Sequence, residues 1–256
     1  MNLGVCNSMD NALYLHKIGF DFIELNLSSV TSLSVEDYTT LLDKVNNSPI
    51  KPYAFNVLFP GTIKVTGNDY NIDTIKAYIE KAFTRAAELG GQIIVFGSGG
   101  ARRVPDDFCM DKAFQQLVDF LKTVAPIAEE HNLTVVIEPL RKEETNIINT
   151  ASEGLKLAKA VDHKNIRLLI DFYHMTCENE HPDIILEAGN EYIKHIHIAN
   201  PLGRVWPVSL TESEYKPFFD NLKKINYTTG ISIEGKTDDL EKDAPMSFDC
   251  LCTLIK

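Results

Sequence analysis

The sequence predicts an α/β protein, a single domain over residues 1–256 folded as one closed parallel (β/α)8 barrel. Three observations carry that expectation. Short runs rich in β-branched residues alternate with amphipathic stretches from end to end, and the runs number eight. A chain of 256 residues has the length typical of such a barrel. The open doubly wound sheet that alternation also allows usually carries a glycine fingerprint after its first strand. Here Asn7-Ser8-Met9-Asp10 follows instead.

Taken in order, the strand candidates are residues 3–6, 22–27, 52–58, 92–96, 134–137, 167–170, 195–198 and 230–233. Between the third and fourth, Ile72, Ile75, Ile79, Ala82, Phe83 and Ala86 recur at the three-to-four spacing of a helix with one core-facing stripe. Leu89-Gly90-Gly91 ends that helix where a left-handed residue is needed. Phe114, Leu117, Val118, Leu121 and Ala125 repeat the pattern before the fifth strand. Thr211-Glu212-Ser213-Glu214 reads as a capping box opening a helix that buries Tyr215, Phe218, Phe219 and Leu222.

Composition narrows the function classes. A net charge of −11 argues against a surface for nucleic-acid phosphates, which usually carries a basic stripe. The five cysteines, Cys6, Cys109, Cys177, Cys250 and Cys252, are odd in number and form no C-x-x-C pair, so a reducing cytoplasm is expected and a disulfide framework is not. The N-terminus has no basic region followed by an apolar stretch, and no run approaches the ~18 apolar residues of a membrane span.

The chemistry concentrates in TVVIEPL, RLLIDFYH, IKHIHIAN and GISIEG, which place Glu138, Asp171, His197 and Glu234 at the ends of consecutive strand candidates. In a parallel barrel all four meet at the C-terminal mouth, where barrel active sites sit. Three carboxylates and one imidazole suit a divalent ion of the Mn2+, Mg2+ or Co2+ type. One acidic residue after a strand is more often a helix cap or a solvated loop residue. Four together would repel one another without a cation. Glu138 and Glu234 also serve as proton-transfer groups. A carboxylate removes a proton from carbon next to a polarised carbonyl, giving an enediolate, and two carboxylates allow removal from one face and return to the other. Two such groups imply epimerisation, whereas a single base working along one face implies 1,2-isomerisation.

These residues carry a resemblance. The chain is similar, over its whole length and most strongly from Thr134 onward, to the xylose isomerase-like TIM barrel superfamily and within it to the ketose 3-epimerase branch (D-tagatose and D-psicose 3-epimerases). In that branch a second glutamate contacts the sugar six residues after the strand-five glutamate, and Glu144 matches it. Asp171-Phe172-Tyr173-His174 reproduces an Asp-x-x-His motif, which implies metal binding by Asp171 and substrate contact by His174. His195-Ile196-His197 matches a His-x-His whose second histidine is the ligand. An arginine follows that ligand by about six residues in the branch, and Arg204 lies seven on. Ile233-Glu234-Gly235 matches the last ligand and second acid/base. The resemblance thus implies metal binding by Glu138, Asp171, His197 and Glu234, catalysis by Glu138 and Glu234, and substrate binding by Glu144, His174 and Arg204. The ion expected is Mn2+, with Mg2+, Co2+ and Zn2+ as alternatives, and the substrate a sugar or sugar phosphate. A homo-oligomer is left open. The chain is shorter than typical members of the branch, and its early loops differ.

Other segments admit two readings. Gly97-Ser98-Gly99-Gly100-Ala101-Arg102-Arg103 is either an anion-binding loop or a tight turn whose arginines pair with surface acids. The loop from Leu58 to Tyr70 is a lid candidate, with Phe59 as a wall for the sugar or an anchor. Trp206 either stacks on a sugar or packs in its loop. His195 shares the inward face of His197 two residues on, and reads as a core histidine beneath it. His16, His131, His163 and His181 read as surface residues.

Competing functions are a metal-dependent dehydratase of a polyol or hydroxy-acid on the same barrel, an apurinic endonuclease and a non-catalytic sugar-binding barrel. The endonuclease needs more ligands and a basic face. The binding barrel does not explain why Glu138, Glu144, Asp171, His174, His197 and Glu234 are all retained.

Overall fold

The eight apolar runs are eight strands. A computed structural model describes residues 1–256. The strands are β1 (Asn2–Cys6), β2 (Phe22–Asn26), β3 (Lys51–Asn56), β4 (Ile93–Phe96), β5 (Thr134–Ile137), β6 (Ile166–Asp171), β7 (Ile193–Ile198) and β8 (Gly230–Ile233). They pair in parallel in chain order, and β8 returns to β1 to close the barrel. Helices cross between them: α1 (Ala12–Ile18), α2 (Leu27–Ser32), α3 (Val35–Asn46), α4 (Ile72–Glu88), α5 (Gly99–Arg102), α6 (Met110–Glu130), α7 (Ala151–Val161), α8 (Phe172–Cys177), α9 (Ile184–Tyr192), α10 (Tyr215–Lys224) and α11 (Leu240–Ile255). None is long and apolar enough to cross a membrane.

Alternation along each strand sends one set of side chains outward and the other into the barrel. The outward set joins the helix stripes in a continuous core of 68 buried residues, including Ile75, Ile79 and Phe83 of α4 and Leu117, Leu121 and Ala125 of α6. The inward set is divided. On the β3–β6 side, Ala54, Ile93, Val95, Val136 and Leu169 form a separate apolar cluster. On the β7, β8 and β2 side the interior is polar, with His195, Ser232 and Glu24 all buried. The register pairs Asp171 with His197 and Cys6 with Glu24, which brings the strand ends to one level at the mouth.

Several expected details differ. Gly90 does adopt φ 92° after α4, and α10 does bury Tyr215, Phe218, Phe219 and Leu222. The capping box at Thr211 does not form. The Thr211 N–H donates to Ser209 Oγ, and Glu212 accepts from the Val208 N–H, so these groups are spent on a preceding turn and α10 starts at Tyr215 without a side-chain cap. The segment from Leu58 to Tyr70 is not a loose lid. Leu58, Phe59, Val65 and Thr66 are buried, and the Phe59 ring lies against Tyr78, Phe120 and Phe96 at 5.4, 5.5 and 6.2 Å. Burying one such ring contributes about 1.5–3 kcal/mol, so Phe59 anchors the segment instead of walling a sugar site.

Candidate metal centre and active site

Glu138, Asp171, His197 and Glu234 converge: one ligand atom from each lies within 4.8 Å of all the others. Their strands explain why. Asp171 and His197 are register partners on β6 and β7, while Glu138 and Glu234 directly follow β5 and β8 and continue those ladders through bonds to Phe96 O and Ile198 O.

The side chains are held from behind. His197 Nδ1 faces the cluster, 3.0 Å from Glu138 Oε1 and 3.4 Å from Glu234 Oε2. Its Nε2 is turned away and meets Glu24 Oε1 at 2.9 Å. Glu24 is an acceptor, so Nε2 carries a proton and Nδ1 is the atom offered to an ion. The other Glu24 oxygen accepts from Ser232 Oγ at 2.6 Å and meets His195 Nε2 at 2.8 Å. His195 is therefore a fully buried core histidine beneath the ligand, as its inward position predicted. Asp171 caps α8, its Oδ1 accepting the Tyr173 N–H at 2.7 Å. Asn56 donates to Glu234 Oε1 at 3.1 Å.

Glu138 has the most exacting seat. A Cβ on Gly97 would sit 1.7 Å from Glu138 Oε2, so only glycine there leaves room for the carboxylate. Arg102 secures the backbone at the same place. It is completely buried and donates to Phe96 O, Glu138 O and Ile148 O at 3.0, 2.7 and 3.3 Å. Neither expected reading of its loop holds. Arg102 faces no anion and no surface acid because backbone carbonyls take its Nη1 and Nη2 groups, while its buried Nε has no partner. Arg103 likewise donates to Glu143 O.

Above the cluster sits a second set. His174 Nδ1 accepts the Arg141 N–H at 3.2 Å, so its proton lies on Nε2, which points toward Arg204 and Asp171 at 3.4 and 3.7 Å. Arg204 holds Glu234 at 2.5 Å and Glu144 at 3.4 Å, and lies over the Tyr173 ring at 4.8 Å. Glu144 also receives Arg141 Nε at 3.1 Å. All seven residues singled out from the sequence thus fall in one constellation. Trp206 stays outside it, 2% exposed, with its N–H on Gly235 O and its ring edge-on to Phe20. His16 and His181 are exposed, and His131 and His163 half-buried, away from the site.

The electrostatics show the strain of this crowding. Burial, then the charges of Glu138 and Glu234, push Asp171 up to about 7. Burial and the Glu234 charge also raise Glu138. Against the penalty of burial, the His197 imidazole and the Arg204 guanidinium hold Glu234 down at about 2. Burial and Arg204 lower His174 to about 3, which keeps it neutral. Asp171 Oδ2 is buried and accepts no hydrogen bond. A buried carboxylate oxygen left unpaired among like charges is costly, and a divalent cation supplies what it lacks. The donor set of three carboxylates and one imidazole nitrogen fits such an ion, with the ring nitrogen already aimed.

Glu24, which holds His197 from behind, is the residue of this constellation that the sequence reading missed. Its signal was present: a carboxylate on the inward face of the apolar run Phe22-Ile23-Glu24-Leu25.

Known proteins resemble this chain over most of its length. The 3-dehydro-D-guloside 4-epimerase of Escherichia coli is 24% identical over 236 residues, covering 90% of this chain and 87% of that protein. The D-psicose 3-epimerase of Agrobacterium fabrum is 24% identical over 230 residues, covering 85% and 75%. The crystal structure of D-psicose 3-epimerase with D-tagatose from Clostridium cellulolyticum H10 matches with a TM-score of 0.85 over 100% of both chains at 19% identity, a likeness of fold. Residues 13–254 match the xylose isomerase-like TIM barrel, and the chain belongs to that family.

Proposed function

We propose that this protein is a divalent-metal-dependent epimerase or isomerase of a sugar, with Glu138 and Glu234 as its acid/base pair. The two relatives described above are epimerases by name, and the protein is an enzyme of the isomerase class. The observation that carries the reading is the unpaired Asp171 Oδ2 among four convergent ligand atoms. Glu138, Asp171, His197 and Glu234 hold the ion, with Mn2+ the ion favoured by the oxygen-rich set. When bound, it supplies Lewis-acid polarisation of a carbonyl and its neighbouring hydroxyl.

The chain's own residues do the rest. Glu138 and Glu234 come from different strands, so they approach a bound sugar from two directions and exchange protons with its carbon. His174 presents an N–H toward the same space, and Arg204 and Glu144 present a paired guanidinium and carboxylate. These three orient the sugar oxygens, and orientation of this kind accounts for large factors in rate. Residues 1–256 act as one domain in this scheme, in a reducing cytoplasm.

The test is to incubate the Mn2+-loaded protein with a panel of ketoses in deuterated water and locate the label by NMR. Deuterium at an inverted carbon is the expected result. Deuterium at carbon one or two with aldose formation identifies a 1,2-isomerase, and loss of water identifies a dehydratase. Glu138→Gln and Glu234→Gln should each abolish exchange, by about 10²–10⁴-fold, while keeping an oxygen toward the ion. Exchange that survives in both variants removes the pair from the mechanism.

A further inference from the structure

The barrel mouth does not end at the metal cluster. A cleft of about 570 Å3 opens beside it, between the ends of β1, β2 and β3 and the helices α2 and α3. Glu24, Cys6 and Asn56 form its inner wall, and all three also border the cluster: Asn56 through Glu234, and Cys6 and Glu24 through His197. That volume lies within the range of complete small-molecule sites.

Its lining has a specific chemistry. Each of the three strands ends in an asparagine that faces the cleft, Asn7 directly after β1, Asn26 closing β2 and Asn56 closing β3. In each, one end of the amide is tied to the protein. Asn7 Oδ1 accepts from the Ser8 N–H and Asn11 Nδ2, and Asn26 Oδ1 from the Ser29 N–H and Ser28 Oγ. Asn56 Nδ2 donates to Glu234. The opposite ends, Asn7 Nδ2, Asn26 Nδ2 and Asn56 Oδ1, make no hydrogen bond within the protein. These are two donors and one acceptor, held in place by their tied ends, and they complement hydroxyl groups. Val30 and Leu41 add apolar surface opposite. No unpaired cation faces the cleft, because Lys44 is paired with Asp10, and the remaining charges, Asp37 and Glu24, are acidic. Arg204 and Arg141 at the adjoining cluster are engaged by Glu234 and Glu144.

We propose that this cleft is a subsite for a neutral, hydroxyl-bearing group joined to the reacting sugar, namely the second ring of a glycoside, and that the substrate is not a sugar phosphate. The proposal rests on the sugar epimerase or isomerase reading and names its substrate class. The reacting carbons lie at the four-ligand cluster while the attached ring occupies the asparagine cleft.

The test compares D-fructose, D-fructose 6-phosphate and glucosyl-ketoses of different linkage (turanose, maltulose, leucrose and isomaltulose). It uses the Mn2+-loaded protein, with calorimetry for binding and deuterium exchange for chemistry. At least one glucosyl-ketose should bind about tenfold more tightly than D-fructose, the yield of one or two added net hydrogen bonds, and the phosphate should bind no better than D-fructose. Thr40→Trp on α3 fills the outer cleft without touching the cluster. It should erase the gain while leaving D-fructose unchanged, and Asn26→Leu should reduce the gain. D-Fructose binding as well as every glucosyl-ketose, a preference for the phosphate, or equal loss of all ligands in Thr40→Trp would each overturn the subsite. Tight glucosyl-ketose binding with no exchange on any sugar would reject the proposed chemistry and leave the subsite standing.

Discussion

Glu24 on β2 reaches across the barrel interior to His197 on β7, with Oε1 2.9 Å from Nε2, and so points Nδ1 of the same ring at the carboxylates of Glu138 and Glu234. Its other oxygen is taken up by Ser232 and His195, so the carboxylate has no freedom to turn. Burial would raise Glu24, but the charges of His197 and His195 outweigh it and hold the group ionised. A metal-binding histidine whose far nitrogen is held by a carboxylate gains both orientation and basicity.

Glu24→Gln should therefore weaken divalent-metal affinity by about 10–100-fold, although Gln contributes no ligand and occupies nearly the same volume. The amide offers an acceptor on one side only, so one of the contacts to His197, His195 and Ser232 must fail. Metal affinity by competition with a chelating dye, together with the melting temperature of the metal-free protein, separates orientation from folding. Unchanged affinity would show that His197 needs no help from Glu24.

Gly97 and Glu138 provide a steric test at the same centre. Gly97→Ala puts a methyl group where Glu138 Oε2 now lies, at 1.7 Å, and the carboxylate must move. A displacement of about an ångström is enough for a loss of roughly 100-fold in turnover. The expected outcome is a folded protein with poor metal affinity and poor exchange activity. Wild-type activity in Gly97→Ala would mean that Glu138 works from another position.

Arg102 tests stability and alignment together. Replacement by Met keeps the stem but strands the Glu138 carbonyl in a completely buried place, while Phe96 O and Ile148 O each keep one bond, from the Glu138 and Leu140 N–H groups. One unsatisfied buried carbonyl costs about 1–3 kcal/mol, so Arg102→Met should lose about that much in a denaturant titration. A loss under about 1 kcal/mol would show that the Glu138 carbonyl finds another partner.

The barrel and the four-ligand cluster could be read from the chain because both depend on local pattern. β-Branched runs announce strands, and a ligand-type residue at the end of each falls automatically at one rim. The short helices α2, α5 and α8 were invisible for the converse reason: four to six residues carry too little periodicity to register. Arg102 was misread because its partners are backbone carbonyls supplied by β4, by the residue after β5 and by the loop before α7. No sequence spacing records those contacts. Glu24 lies inside a strand, below the rim where ligands were sought, and its role appears only when β2 and β7 face each other across the closed barrel.

Asp171 makes the metal site's pH dependence predictable. Its ordinary value is 3.8, and burial together with Glu138 and Glu234 raises it to about 7 in the folded, metal-free chain. Between about pH 4 and 7 the folded state thus holds a proton that the unfolded chain has released. More protons are bound in the native state, so this group makes metal-free stability fall as pH rises through that window. A divalent ion takes the proton's place. His197, which Glu24, Glu234 and Glu138 hold well above the usual imidazole range despite burial, must also give up its Nδ1 proton. Binding near pH 6 should therefore release protons, and affinity should climb as pH rises through about 7. Calorimetry at about pH 6 in buffers of different ionisation enthalpy reads the proton directly. Melting of chelator-treated and metal-loaded protein from about pH 5 to 7.5 should show the metal's added stabilisation growing with pH. Asp171→Asn should lose this contribution along with much of the affinity, since it keeps the shape but removes the charge. An affinity flat across the window, with no proton released, would mean that Asp171 is already ionised and that the crowding of carboxylates is relieved by some other route.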